Sequence, residues 1–527
     1  MFPYHRGFLR FFPYTKLIRK NMDSILIGLS VYMSVMLLIG LYSTKKVKSA
    51  TDFIVAGKKL SLPFCTATLA ATWFGGGICI GAASAAYKGG FLAVIADPFG
   101  AALCLFLAGL FYVRVLRRMG IMTIASFFGS RYDRRASLVA SLCTIPAYIG
   151  WVASLMVAFG RILQSLTAID PTISIIIAGV AVIIYTVGGG MWAVTLTDLI
   201  QITILVLGLL IITPILLNDV GGWDTLAKQI PSERFNLYPQ VSDSSVWFAY
   251  MRDWLVIGLG NLAGQDLIQR SLSSKNEKVA YQSAYLAGIL YVTIGLIPVF
   301  LGLAGSVLFP ELSNPDLIMM KMAITYLPDV ALIIFTGALI SALLSSADSA
   351  LLAPASVIGW DLLRSFRPNA ADSTTVTISR ISVVICGLVS MWLALQSGSV
   401  YDLMVNSWSV LLATLFVPLT AGIWWSKANT PGCLSSIFVG FTSWQLFPFV
   451  VQDLPADLLA VLPATIALIS VSYITKKEEP AKPLSDSSGD PIDLKNRIGL
   501  GIFDKIEDHA KFSTHTINSN NAGEGQS

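Results

Sequence analysis

Long apolar stretches recur along the whole chain and constrain its fold more than any other feature. About 20 residues of helix cross the ~30 Å hydrocarbon core of a bilayer, and roughly thirteen such stretches follow one another here. Only 13% of the 527 residues are charged, against about 25% in soluble domains. Because a spanning segment must satisfy its backbone polar groups internally, these stretches are helices. The sequence therefore predicts an all-α polytopic membrane protein.

The apolar stretches also predict how the chain is divided. The predicted spans cover residues 22–44, 63–86, 91–113, 136–166, 172–188, 193–217, 245–269, 280–309, 328–362, 377–396, 400–425, 432–452 and 455–475. They delimit a transmembrane domain at residues 22–475. Residues 1–21 form a basic N-terminal extension, and residues 476–527 form a polar tail that we expect to be largely disordered.

The lysine and arginine residues are concentrated in alternate loops, which predicts the orientation by the positive-inside rule. The loops near residues 45–59 and 114–135 are strongly basic, so we place them in the cytoplasm. An odd number of spans then puts the N-terminus outside and the C-terminus inside, in a plasma (inner) membrane. The basic extension 1–21 violates this rule. It is either an interfacial anchor or untranslated, with Met22 as the start, and we favour the second interpretation.

Several function classes are disfavoured by what the spans do not contain. The three histidines lie in the tails, at His5, His509 and His515, and no pair of cysteines has the spacing of a metal-binding motif. These patterns argue against haem ligation, a zinc site and metalloprotease chemistry. We therefore expect no enzyme activity, no cofactor, no nucleic-acid partner and no metal other than a coupling ion.

Two predicted spans are interrupted by glycine, and they lie five spans apart. Gly75, Gly76 and Gly77 form one break, and Gly258, Gly260 and Gly264 form the other. Carriers built from inverted repeats bind ions and solutes at such broken helices near the bilayer midplane. The alternative is close helix packing, for which membrane helices also use glycine. The repetition of the break after five spans favours a carrier with two five-helix repeats.

A serine-rich face marks the eighth helix of such a ten-helix core. Ala342, Ser345, Ser346 and Ser349 share that face at helical spacing. Their oxygen atoms suit a small cation, although serine also packs membrane helices. Two intramembrane acids, Asp198 and Asp348, strengthen the functional interpretation because buried charges are costly in a membrane.

At these residues the chain resembles the sodium:solute symporter family. The segment from Gly188 to Gln201 is similar to the family signature G-G-M-x-A-V-x-x-T-D-x-I-Q, and the string from Ser345 to Ser349 also matches. The resemblance covers roughly residues 22–475. It implies a LeuT-like five-plus-five inverted repeat, with one extra N-terminal and two extra C-terminal helices.

The same resemblance implies the ion sites. One sodium would lie between the first and eighth core helices, held by three backbone carbonyls and two hydroxyls, those of Ala71, Phe74, Ala342, Ser345 and Ser346. Asp198 and Asp348 are candidates for a second sodium or a proton site.

The solute site is implied less completely. The chain resembles the choline-transporter branch in part, since Trp73 and Trp151 match two aromatic residues of a choline cage. Gly264 and Ala101 stand where that cage has a tryptophan and a tyrosine. The residues that we expect at the solute site are those around the two breaks and the two tryptophans: Trp73, Gly75, Gly76, Gly77, Trp151, Gly264 and Gln265.

These features together predict a secondary active transporter. Sodium-coupled uptake of a small organic solute by alternating access is the favoured hypothesis. A proton-coupled carrier on the same fold is the first alternative, and choline or another quaternary amine is a specific candidate for the solute. A membrane-embedded enzyme and a sensor or leak channel are the remaining alternatives. The substrate and the oligomeric state stay open.

Overall fold

The computed structural model describes residues 42–501 except 168, 397–399 and 452–453, together with parts of 27–39. Within this part of the chain the regular structure is helical, and only two isolated β-bridges occur. The predicted extension 1–21, the alternative start at Met22 and the last residues of the tail, 502–527, lie outside the described residues.

Thirteen main helical segments lie in the described part of the chain. They are α1 (Leu62–Gly89), α2 (Phe91–Phe111), α3 (Arg134–Thr167), α4 (Pro171–Asp219), α5 (Ser244–Gly258), α6 (Gln265–Ser273), α7 (Glu277–Leu308), α8 (Asp329–Phe366), α9 (Asp372–Gln396), α10 (Val400–Thr414), α11 (Phe416–Trp424), α12 (Thr430–Val450) and α13 (Ala456–Ile474). Shorter helices lie in the connecting loops, at Ala50–Val55, Val113–Arg118, Ile124–Arg131, Trp223–Gln229 and Ile318–Tyr326.

The number of spans agrees with the sequence once the broken helices are counted. Nine helices of the described part are long and apolar enough to cross a membrane, or ten if α10 and α11 form one span bent by 44°. The shorter apolar helix Pro171–Ile184 and the interrupted pair α5–α6 supply two further predicted spans. The remaining predicted span, 22–44, is described only in part. The chain is a multi-pass membrane protein.

A glycine divides α4 into the two spans that the sequence predicts. Gly190 has φ 54° inside the helix, and a Cβ atom there would lie 2.7 Å from the carbonyl oxygen of Phe53. Both the left-handed backbone and the close approach require glycine. The signature residues that follow the kink, from Met191 onward, therefore lie in a second, separate span.

Both predicted helix breaks are present, and they differ in form. In α1 the regular helix ends at Trp73, and Phe74–Ala82 continues as π-helical turns. In the second repeat, α5 ends at Gly258, a 3-10 turn covers Gly260–Ala263, and α6 begins at Gln265. The π-helical segment packs against α8, and the 3-10 turn packs against α10. The breaks thus lie inside the bundle, in matching helices of the two repeats.

Part of the tail after α13 packs against the bundle, while disorder of residues 476–527 as a whole stays a prediction. We call residues 484–501 the C-terminal strap. Leu484 and Ile492 are only 6% and 4% exposed. The strap joins the backbone of α2, where the Gly499 N–H donates to the Leu110 carbonyl at 2.9 Å. Its buried apolar residues are too widely spaced to give a sequence pattern, which is why composition alone predicts disorder.

Candidate functional site

The first broken helix meets the serine face of α8 directly. The Ser346 hydroxyl donates to the Ala71 carbonyl at 3.3 Å. A Cβ atom on Gly75 would lie 2.8 Å from the carbonyl oxygen of Ala342, so two backbones touch here. Phe74, whose carbonyl is the remaining predicted ligand on α1, begins the π-helical segment and is fully buried. The structure thus brings the predicted sodium ligands to one helix contact.

Asp198 ties α4 to this contact. It is fully buried and accepts hydrogen bonds from the hydroxyls of Thr68 on α1 and Ser345 on α8. One turn further along α4, the Gln201 amide donates to the Ser341 hydroxyl at 2.6 Å. The Asp and Gln of the sequence signature therefore join α4 to two serines of α8.

A buried arginine lies on the other side of Thr68. The Arg270 guanidinium of α6 donates to the Thr68 carbonyl at 3.2 Å and to the Asp266 carbonyl at 3.0 Å. Buried charges need paired or hydrogen-bonded partners. Thr68 accordingly links an acid and a base through its hydroxyl and its carbonyl. The second predicted acid, Asp348, is also buried and accepts a hydrogen bond from Ser349 at 3.2 Å.

A small cavity lies beside the α1 break. Its volume is about 20 Å³, close to the least that holds one water molecule. It is lined by residues of five helices and the 3-10 turn: Thr72, Trp73, Gly77, Asp97, Ala101, Trp151, Leu155, Ile257, Asn261, Met404 and Trp408. Three predicted solute-site residues, Trp73, Gly77 and Trp151, meet in this lining. Because this volume is too small for an organic solute, helices or side chains must move before a solute binds there.

Aromatic rings form one wall of this cavity. The ring centroids of Trp151 and Trp408 are 5.0 Å apart, and Tyr148 packs edge-on against both. The Trp73 indole N–H donates to a carboxylate oxygen of Asp266 at 2.6 Å, and the Tyr148 hydroxyl donates to the other oxygen. Asp266 at the start of α6 therefore fixes the orientation of two aromatic rings from opposite sides.

The other predicted solute-site residues lie at the two breaks, outside the described cavity lining. A Cβ atom on Gly76 would meet the Leu155 side chain at 2.4 Å, and Gly75 faces α8 as described. Gly264 contacts the Asn261 side chain. Gln265 accepts a hydrogen bond from the Ile124 N–H at 2.7 Å. The structure thus places Gln265 at a contact with the loop helix Ile124–Arg131.

Four polar or aromatic lining residues were not among the predicted site residues: Thr72, Asp97, Asn261 and Trp408. Asp97 carries a signal that sequence analysis could have used, since it is an acid within a predicted span and such acids are functional candidates by default. Asn261 lies between the glycines of the second break. Trp408 gave no signal, because aromatic residues are common in apolar helices.

Known proteins with a similar sequence or fold are transporters. The model of the sodium:solute symporter family matches residues 53–440. The high affinity choline transporter 1 of Homo sapiens is 28% identical over 495 residues, covering 86% of this chain and 85% of that protein. The osmoregulated proline transporter OpuE of Bacillus subtilis is 27% identical, covering 87% and 96%. A solved Na+-coupled sialic acid symporter has a TM-score of 0.74 at 23% identity, covering 87% of this chain and 98% of that one.

These similarities confirm three of the predictions. The solved symporter shares the predicted LeuT-like fold. The similar proteins are transporters, which confirms a transport function rather than an enzyme. They also confirm a multi-pass protein that carries small solutes across a membrane.

Proposed function

The chain belongs to the sodium:solute symporter family, and on that premise we propose how its sodium and solute sites work together. Sodium binds at the contact between α1 and α8, and the solute binds in the cavity beside the α1 break. The two sites are adjacent because α1 supplies residues to both. Uptake then follows from alternating opening of this one region to either side of the membrane.

The observation that carries this proposal is the convergence of oxygen atoms from three helices. On α8 the Ser345 hydroxyl donates to the Asp198 carboxylate of α4, and the adjacent Ser346 hydroxyl donates to the Ala71 carbonyl of α1. Small hard cations prefer carbonyl, carboxylate and hydroxyl oxygens. A sodium ion held by Ala71, Phe74, Ala342, Ser345 and Ser346 would stabilise the α1–α8 contact.

This position explains how sodium can drive the solute. A ligand shifts a conformational equilibrium only by its difference in affinity between the two states. Ligands on two separate helices give that difference, because they come together only when α1 and α8 are in contact. One sodium entering at 100 mV supplies about 2.3 kcal/mol, and each tenfold sodium gradient adds about 1.4 kcal/mol. One or two ions therefore suffice to concentrate a solute many-fold.

Proton coupling is the second candidate function, and the buried acids favour it. Asp198 already receives two hydroxyl hydrogen bonds, and Asp348 lies one turn along the same face of α8. Either carboxyl group could carry a proton or complete a second sodium site. Uptake that follows the pH gradient and ignores sodium would favour this candidate over the first.

The sodium site is tested by removing its two hydroxyls. In proteoliposomes, the Ser345→Ala/Ser346→Ala double variant should require at least tenfold more sodium for half-maximal uptake, because two side-chain ligands are lost. Thr336→Val is the control, since Thr336 lies on the same helix and its hydroxyl donates to the Met320 sulfur at 3.8 Å rather than to a residue of the proposed sodium site. Unchanged sodium dependence in the double variant would exclude the assigned site.

The remaining assignments belong to the same proposal. The solute contacts Trp73, Gly77 and Trp151 in the cavity, with Gly75, Gly76, Gly264 and Gln265 shaping the two breaks beside it. Residues 22–475 form the transport domain, and the face with the basic loops and the C-terminal strap is cytoplasmic. The protein then resides in a plasma (inner) membrane with its N-terminus outside.

A further inference from the structure

We propose that the solute is a small organic cation with N–H groups, a protonated primary or secondary amine, and that Asp97 is its counter-charge. This inference rests on the proposed function, because it takes the cavity beside the α1 break as the solute site. Four observations on the cavity lining carry it.

The first observation is an acid without a partner. Asp97 lines the cavity and is 3% exposed, yet its Oδ1 atom has no hydrogen-bond partner. A buried carboxyl oxygen that lacks a partner is costly. Gly77 lets this side chain reach the α1 backbone, since a Cβ atom on Gly77 would lie 2.5 Å from Asp97 Oδ2. The carboxyl group is thus held at the α1 break with one oxygen left for a ligand.

The second observation is the charge balance of the lining. Among the described residues that line the cavity, one is acidic and none is basic. An anionic solute would therefore face Asp97 without a cationic side chain to receive it. A cationic solute would instead face one acidic side chain and three tryptophans, Trp73, Trp151 and Trp408. Tryptophan faces attract cations, by about 2 kcal/mol when the pair is desolvated.

The third observation is a second unpartnered polar group. Asn261 lines the same cavity, is 1% exposed, and has no partner for its Oδ1 or its Nδ2 atom. It offers one acceptor and two donor hydrogens. A hydroxyl group on the solute would satisfy this side chain while the ammonium group contacts Asp97. The lining therefore fits an amino alcohol better than a simple alkylamine.

The fourth observation separates amines with N–H groups from quaternary ammonium ions. The free Asp97 oxygen is satisfied only by a hydrogen-bond donor, and a trimethylammonium group has none. This requirement favours a protonated amine over choline.

Calorimetric titration of the purified full-length protein in saturating sodium tests this assignment. The probes are ethanolamine, N-methylethanolamine, N,N-dimethylethanolamine and choline, which lose N–H groups one at a time. We expect ethanolamine to bind at least tenfold more tightly than choline. The neutral choline analogue 3,3-dimethylbutan-1-ol and the anion pantothenate should bind more weakly still. Tighter binding of choline, of the neutral alcohol or of pantothenate overturns the assignment, as does a lack of binding by every amine.

Substitutions locate the effect at Asp97. Asp97→Asn should weaken ethanolamine binding at least tenfold, and Asp97→Glu should retain the preference for cations over the neutral alcohol. Asp361→Asn is the matched control, because Asp361 is a buried acid near the end of α8 that binds Thr123 and Ser126, away from the cavity. An unchanged preference in Asp97→Asn contradicts the proposal.

A second variant keeps the test decisive if Asp97→Asn does not yield a monodisperse protein. Asn261→Ala should weaken ethanolamine several-fold and leave methylamine, which has no hydroxyl group, unchanged. Equal effects on both amines, or no effect on either, would overturn the assignment of the second polar group.

The result is independent of sodium coupling. Amines that bind through Asp97 while uptake ignores sodium would leave this inference standing and remove the proposed coupling. Sodium-dependent uptake of a solute whose binding does not depend on Asp97 would leave the proposed sodium coupling standing and would overturn this inference.

Discussion

At the scale of single residues, the α1–α8 contact depends on the absence of a side chain at Gly75. The nearest atoms to a Cβ there are the backbone carbon and oxygen of Ala342, both at 2.8 Å. Backbone cannot rotate away as a side chain can, so Gly75→Ala should push α1 and α8 apart. Overpacking of this kind costs about 1–3 kcal/mol. We expect the sodium concentration for half-maximal uptake to rise about tenfold, equivalent to about 1.4 kcal/mol.

Two other glycines provide the controls for this substitution. At Gly76 the nearest atom is the end of the flexible Leu155 side chain, which lines the cavity. Gly76→Ala should therefore alter solute affinity more than sodium affinity. At Gly129 the nearest atom is 3.4 Å away, an ordinary contact, so Gly129→Ala should change neither. If all three variants require the same sodium concentration as the unmodified protein, the α1–α8 contact does not set sodium affinity.

At the scale of elements, the C-terminal strap connects helices that are distant in sequence. The Arg114 guanidinium beyond α2 donates to the Ile498 carbonyl at 2.9 Å, and the Tyr285 hydroxyl of α7 donates to the Gly499 carbonyl at 2.8 Å. Arg497 donates to the Ile423 carbonyl at the end of α11. The strap thus ties the ends of α2, α7 and α11 at one face of the bundle.

Two buried apolar residues anchor this strap, and their removal should destabilise the protein. Replacing a buried leucine or isoleucine by alanine typically costs about 2–5 kcal/mol. We expect Leu484→Ala/Ile492→Ala to lower the thermal unfolding midpoint of the detergent-purified protein by several degrees. Leu494→Ala is the control in the same segment, because Leu494 is 63% exposed. Equal midpoints for the double variant and the control would show that the strap does not contribute to stability.

At the scale of the whole molecule, sodium should stabilise the helix arrangement in which α1 contacts α8. A ligand at 100 times its Kd stabilises the state that binds it by about 2.7 kcal/mol. Exchanging sodium chloride for potassium chloride should therefore lower the thermal unfolding midpoint. The same exchange should have little effect on the Ser345→Ala/Ser346→Ala variant. A midpoint that ignores the exchange in the unmodified protein would argue against a sodium site that joins α1 and α8.

Much of the architecture could be predicted because its signals are local. The apolar length of each span and the glycines near residues 75 and 260 lie within single segments of sequence. The structure changes the form of the α1 break, which is π-helical from Phe74 to Ala82. That widening depends on how α1 packs against α8, and glycine composition does not predict it. The packing of the C-terminal strap was not predicted for a related reason: Leu484 and Ile492 become buried only through contacts with helices that are distant in sequence.

The sequence by itself determined the membrane class, the spans, the paired breaks and the family, since each depends on composition or motif along one stretch of chain. Only the tertiary structure decided which polar groups meet. Asp198 lies 147 positions from Ser345 along the chain, and Asp97 and Asn261 share a cavity although they belong to different repeats. The physical reason is that the position of a residue along a spanning helix sets its depth in the membrane, whereas the packing of the helices sets which other residues it contacts. Sodium and solute selectivity are therefore properties of helix contacts, and no single segment encodes them.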